Sequence, residues 1–191
     1  MYRTIISADE ARAYISGASV VAFDFETAPD GLHRDEDKAA LDAHKAHIVG
    51  VSFSVAEDDA IYIPIVHRTG ANADGDAVMA LLAEFAADPA VVKVAHNLAF
   101  EAMFLYAQGI VIQPPCYDTL AAAQLTLKSG TAFRGLGDCG LKTLAPELLD
   151  ADMPTFGVVT AGRAFDELDP RSHAVMRYAC ADADYTLRLY H

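Results

Sequence analysis

Two acids one residue apart, Asp24 and Glu26, lie within the apolar run "VVAFDFETAP" (20–29). On a strand, positions i and i+2 face the same way. Two carboxylates on one face repel each other unless a divalent cation sits between or beside them. A second site is "HNLAFE" (96–101), where Asn97 and Glu101 stand four apart and share one helix face. The apolar "AMFL" that follows predicts a largely buried helix, and an acid there needs a partner. The third is "YACADAD" (178–184), with Tyr178 and Asp182 four apart and Asp184 expected on another, exposed face. Each has a plain structural reading: acids solvated at a strand end, an asparagine N-cap, a packed tyrosine bonded to an aspartate. Their joint occurrence points to chemistry. Hard oxygen ligands suit Mg²⁺ or Mn²⁺ rather than zinc. Two such ions about 3.5–4 Å apart clamp an in-line phosphoryl displacement, one activating a water and the other stabilising the leaving oxygen.

The elements that must position these groups alternate. "VVAFDF" (20–25) reads as a buried strand that ends at the acids, and as the central strand of its sheet. "IVGVSFSV" (48–55) and "AIYIPIV" (60–66), joined by "AEDD", predict an antiparallel hairpin, and "AVVKVAH" (90–96) a fourth strand. Helices are expected over 75–88, 98–109, 117–127, 140–149 and 169–191, with Gly109 as a C-cap and Pro170 in a first turn. The pattern predicts an α/β fold, a mixed sheet flanked by helices, in one domain spanning 1–191. Met103, Phe100, Phe104 and Tyr106 are expected in its core. Residues 30–47 form a charged excursion with His33, His44 and His47. No cysteine or paired histidine completes a transition-metal site there, so a solvated insert flanking the acids is expected. Residues 128–140, "KSGTAFRGLGDCG", are glycine-rich.

The net charge of −13 argues against a freestanding, tight duplex binder, since such proteins neutralise phosphates with basic residues. Carboxylates that collect metal ions remain compatible with it. Three widely spaced cysteines, Cys116, Cys139 and Cys180, form neither a disulfide framework nor a zinc motif and fit a reducing cytoplasm. No apolar run reaches the roughly 20 residues of a membrane span, and no signal peptide is expected.

In order, "FDFET", "HNLAFE" and "YACAD" resemble the three motifs of the DEDD superfamily of 3′–5′ exonucleases. The Tyr-x-x-x-Asp motif marks the tyrosine branch, and Arg177, five residues before Asp182, disfavours the histidine branch. The resemblance is greatest to the proofreading exonuclease domain of family A polymerases of bacteria and phages, through "IVGVSFSV", "AIYIPIVH", "CYDTLAAAQL", "GLKTLAP" and "DADYTLRLYH". It covers the chain from about residue 18 onward.

The resemblance implies a ribonuclease H-like fold and two ions, Mg²⁺ or Mn²⁺. It implies that Asp24, Glu26, Glu101 and Asp182 hold the metals and that Tyr178 orients the attacking water. Asn97, with Leu98 or Phe100, would position the terminal nucleotide, and Arg134 or Lys128 would meet the scissile phosphate. Asp118 would support the site from behind or start a helix. One departure is Glu101, where the family has aspartate; the extra methylene puts the second metal in question. The implied activity is proofreading-type release of nucleoside 5′-monophosphates from single-stranded DNA 3′ ends, beside a polymerase domain in cis or in trans. An RNA-trimming enzyme of the same branch, or a docking domain that has lost its chemistry, stays open. So does the choice between a freestanding exonuclease and part of a longer protein.

Overall fold

The computed structural model describes residues 1–126 and 139–191. Its six strands are β1 (Tyr2–Thr4), β2 (Val20–Pro29), β3 (Ala46–Ala56), β4 (Asp59–Pro64), β5 (Val92–Ala95) and β6 (Cys116–Asp118). They form one mixed sheet in the order β1-β4-β3-β2-β5-β6. The α-helices are α1 (Ala8–Ile15), α2 (Gly75–Ala87), α3 (Leu98–Ala107), α4 (Thr119–Thr126), α5 (Leu141–Leu149), α6 (Phe156–Thr160) and α7 (His173–Tyr190).

β2 and β3 pair antiparallel, as do β3 and β4 around the tight "AEDD" turn, while β5 runs parallel to β2. The alternation of β2 sorts its side chains. Phe23 and Phe25 pack among Phe53, Phe85 and Leu82 on the face that α1 and α2 cover. Ala22, Asp24 and Glu26 point to the opposite face, where α7 brings Leu187, Asp182 and Tyr178. A strand buried on both faces needs apolar residues almost throughout, so acids in it mark a break in the packing.

The strand does not end at the acids, as its apolar run predicts, but continues to Pro29. Pairing with β3 sustains it, with a register shift between Glu26 and Thr27. What ends near the acids is the pairing with β5, which covers only Val20, Val21 and Ala22. Opposite Glu26 stands Gly50. A Cβ there would lie 2.2 Å from the Tyr62 hydroxyl, so only glycine leaves room for that buried ring. Nδ1 of His67 faces the Leu168 carbonyl at 2.9 Å and must carry the proton; Nε2 then accepts from the Tyr62 hydroxyl at 2.7 Å.

Other boundaries differ from expectation for local reasons. Ser172 caps α7 by accepting from the Val175 amide, so the helix starts after Pro170. Residues 116–118 pair with β5 before α4 begins, so the predicted helix over 117–127 loses its first two residues to a strand. β1, α1 and α6 lie in stretches with no prediction. Met103 and Tyr106 are not core residues: they lie on the outer face of α3, 43% and 74% exposed, while Phe104 is buried.

Candidate active site

Asp24, Glu26 and Asp182 meet beneath a cleft of about 480 Å³. Each offers a carboxylate oxygen, and these oxygens lie within 4.8 Å of one another. The first two come from one face of β2 and the third from the middle of α7, which packs across that face. Phe100, Tyr178 and Phe156 line the cleft with them. Asp24 keeps some surface open to solvent yet lies deep among protein atoms, as a residue on the floor of a concave site does.

The electrostatics follow from that crowding. Burial, then the neighbouring Asp182 charge, raises the Asp24 carboxyl well above its ordinary range. Burial, then Asp24 and Asp182, does the same to Glu26. Asp182 is also raised by burial, but Lys142 and Tyr178 pull it back. Burial, Glu26, Asp182 and Asp24 push the Tyr178 phenol upward, so it remains a protonated donor.

Glu101 is 1% exposed and its carboxyl is raised by burial and by Asp24. It lies on the first turn of α3, outside the three carboxylates that converge. Its Oε2 and Glu26 Oε1 have no hydrogen-bond partner among the described residues. Buried carboxylate oxygens without donors are what a hard divalent cation would satisfy, so the donor set fits Mg²⁺ or Mn²⁺.

The remaining predicted residues divide. Phe100 lines the cleft, whereas Leu98 packs against the main core and Asn97 is exposed. Asn97 sits at φ 78° before α3 with no side-chain capping bond. The cap comes instead from Asp118, whose carboxylate accepts from the amides of Asn97 (3.0 Å) and Leu98 (3.1 Å). The same carboxylate accepts from Leu120 at 2.9 Å and Ala121 at 3.3 Å, so one aspartate starts both α3 and α4. Lys128 and Arg134 lie outside the described residues. Asp184 is the clearest correction. It is fully buried rather than exposed, because Arg188, Tyr2 and the Asp58 amide surround it.

The excursion over 30–47 flanks the acids as expected, but its anchors, and the parts played by Phe156 and Lys142, had no signal strong enough to single them out. The excursion over 30–47 is a cleft wall built from two 3₁₀ turns, Gly31–His33 and Ala39–Leu41, and it presents Lys38 and Leu41 to the cleft. Ala39 is buried, the Thr27 hydroxyl donates to the Ala40 carbonyl at 2.7 Å, and Arg34 pairs with Asp166. His33 pairs with Glu36 and His47 with Asp30, and His44 and His47 flank the start of β3 rather than sharing a helix. Phe156 lies on a five-residue helix too short to read from periodicity. Lys142, on α5, forms an ion pair with Asp182 and holds its Nζ 4.3 Å from the centre of the Tyr178 ring.

Comparison with known proteins places this arrangement. The family model described as 3′–5′ exonuclease matches residues 2–191. DNA polymerase I of Chloroflexus aurantiacus is 33% identical over 81% of this chain, which covers 16% of that protein. DNA polymerase I of Rhizobium leguminosarum is 29% identical over 98% of this chain and 19% of its own length. The chain thus spans about a fifth or less of these relatives. Among solved structures, Brucella melitensis NrnC with bound Mg²⁺ superposes with a TM-score of 0.65 at 22% identity, over 98% of this chain and 76% of that one. Escherichia coli RNase D, an exoribonuclease involved in structured RNA processing, gives 0.66 at 15% identity, over 100% of this chain and 43% of that one. These likenesses confirm the ribonuclease H-like α/β fold. The chain belongs to the 3′–5′ exonuclease family of the DEDD type and is an exonuclease hydrolase.

Proposed function

We propose that this chain removes nucleotides from the 3′ end of single-stranded DNA as nucleoside 5′-monophosphates, with two divalent ions, Mg²⁺ or Mn²⁺, and that it does so as a proofreading domain beside a polymerase domain. The observation that carries this reading is the convergence of Asp24, Glu26 and Asp182 beneath an open cleft. The DNA polymerase I relatives favour DNA, and none of the described helices is long and apolar enough to cross a membrane.

Asp24, Glu26 and Asp182 would hold the ions, with Glu101, buried within the field of Asp24, completing the set. Bound ions would supply charge to the phosphate and the leaving oxygen and would acidify a water. The chain's own groups do the rest. Tyr178, kept protonated by burial and by the acids around it, donates a hydrogen bond that orients the attacking water. Phe100 offers an aromatic surface to the terminal base, and Asn97 and Leu98 support it from the start of α3. Lys128 and Arg134 are assigned to the phosphate on the resemblance alone. Asp118 fixes the position of α3, and hence of Glu101.

The test is a 5′-labelled single-stranded DNA oligonucleotide incubated with Mg²⁺, with Mn²⁺ and with EDTA, beside Asp24→Ala. A ladder that shortens from the 3′ end, needs metal and is lost in the variant supports the reading. A matched RNA oligonucleotide runs in parallel, because structural neighbours include an exoribonuclease and NrnC bound to pGG. Shortening of RNA alone would replace DNA by RNA. No shortening of either by folded protein would return the docking-domain reading.

A further inference from the structure

The carboxylate cluster already contains a cation of its own. Lys142 reaches from α5 to α7, pairs with Asp182 Oδ1 and lays its ammonium over the Tyr178 ring. Its charge opposes the upward shift at Asp24, Glu26 and Asp182 alike, so it acts on the whole cluster. Yet it stands in the first turn of α5, where the helix dipole disfavours a positive charge and no acid offsets it within that turn. The contact with Asp182 therefore holds the ammonium against its local preference. An ammonium donates and cannot coordinate, and a divalent ion drawn to the same carboxylate meets its positive charge at close range, so the two compete for Asp182. The side chain is 30% exposed, which leaves it a way out.

We propose that Lys142 is the resident counter-cation of this cluster, a positioning residue that holds Asp182 in the metal-free protein and must leave it for a divalent ion to bind there. This rests on the reading that Asp24, Glu26 and Asp182 hold metal. Metal loading and release of Lys142 are then one event. A purely structural ion pair would behave differently: removing it would weaken both the fold and metal binding. A resident competitor gives opposite signs, a less stable metal-free protein and tighter metal binding.

The experiment uses the full chain stripped with EDTA and titrated with Mn²⁺ alone, followed by electron paramagnetic resonance and calorimetry. Lys142→Met keeps the stem over Tyr178 and removes the charge. It should melt roughly 5 °C lower without metal, yet bind Mn²⁺ about tenfold tighter, equivalent to about 1.4 kcal/mol. Lys142→Arg should bind Mn²⁺ like the wild type. On the unmutated protein, acylation of Lys142 by an amine-reactive reagent, read by mass spectrometry, should rise when Mn²⁺ is added. That measurement decides the matter should Lys142→Met not fold. Unchanged or weaker Mn²⁺ binding by Lys142→Met, or labelling that does not rise, overturns the proposal if the wild type binds Mn²⁺ and Asp182→Asn weakens it. Failure of the wild type to bind Mn²⁺, or Asp182→Asn binding as well as wild type, removes the metal reading and this proposal with it.

Discussion

Asp182 and Asp184 sit two residues apart on the same helix and are treated in opposite ways. Asp184 is fully buried and fully partnered, accepting from the Tyr2 hydroxyl at 2.6 Å, the Asp58 amide at 3.1 Å and two Arg188 nitrogens at 2.8 and 3.2 Å. Asp182 is packed against two like charges, with a partly exposed lysine and the Tyr178 hydroxyl for relief. Two residues along a helix turn the side chain by about 200°, so one helix carries a structural aspartate on one side and a strained one on the other. Asp166 and Asp118 belong with Asp184. Asp166 is paired with Arg34 and Arg68, and Asp118 caps two helices. The acids that hold the fold together have their hydrogen bonds in the chain. Glu26 and Glu101 each leave an oxygen without one among the described residues, and that deficit marks the candidate site.

The largest effect expected on this contrast comes from Asp182→Ala. Cleavage of the labelled oligonucleotide should fall by about 10³-fold or more, roughly 4 kcal/mol of barrier, while the metal-free protein loses little stability because a repulsive charge has gone. A large fall in its melting temperature would place Asp182 among the structural acids. Asp184→Asn should give the mirror image. Breaking its buried pairing costs about 2–3 kcal/mol, read as a melting temperature lower by roughly 5–10 °C, with cleavage at low temperature near wild type.

Asp166→Asn sharpens the comparison through pH. Burial alone would raise the Asp166 carboxyl, but Arg34 and Arg68 hold it below its ordinary value of 3.8. A carboxyl depressed by folding contributes stability above its unfolded pKa and loses it as pH falls through the folded value. The variant should therefore be less stable than wild type at pH 7, by about 1–2 kcal/mol after allowing for the exposure of Arg68. The gap should close below about pH 4 in acid unfolding curves. A gap that stays constant to pH 2 would assign the effect to packing. The smallest effect is expected from Asp118→Ala, about 1 kcal/mol of stability from the lost caps in denaturant titrations. Cleavage should drop only as far as α3 shifts.

How much of this could be read from the chain depends on the range of the interaction. The strands of the sheet centre and the long helices follow from periodicity, because burial on a face repeats every two or 3.6 residues. The spacing of Asp24 with Glu26, and of Tyr178 with Asp182, is local and visible. Their meeting at one floor is not visible in spacing, and only resemblance to a family implies it. Asp184 shows the limit: its helix position suggests an exposed side chain, but Tyr2 and the Asp58 amide reach it from two distant segments and join Arg188, one turn further along the same helix, in burying it. Lys142 was silent for the same reason, since nothing near "GLKTLAP" points to a partner forty residues away. The wall over 30–47 reads as solvated charge, because its anchors, Asp166 and the Thr27 hydroxyl, are not periodic features.

The way β2, the wall and β3 follow one another has a consequence for the order of assembly. Two of the floor carboxylates and one wall of the cleft lie in one contiguous stretch, from Asp24 to Leu41, closed by the β2–β3 hairpin. Such local contacts close quickly and at low entropic cost. The third carboxylate arrives on α7, far along the chain from β2, across a long loop closure. A nascent chain therefore carries one side of the groove long before it carries a complete cluster of acids, and cleavage has to wait for α7 to dock.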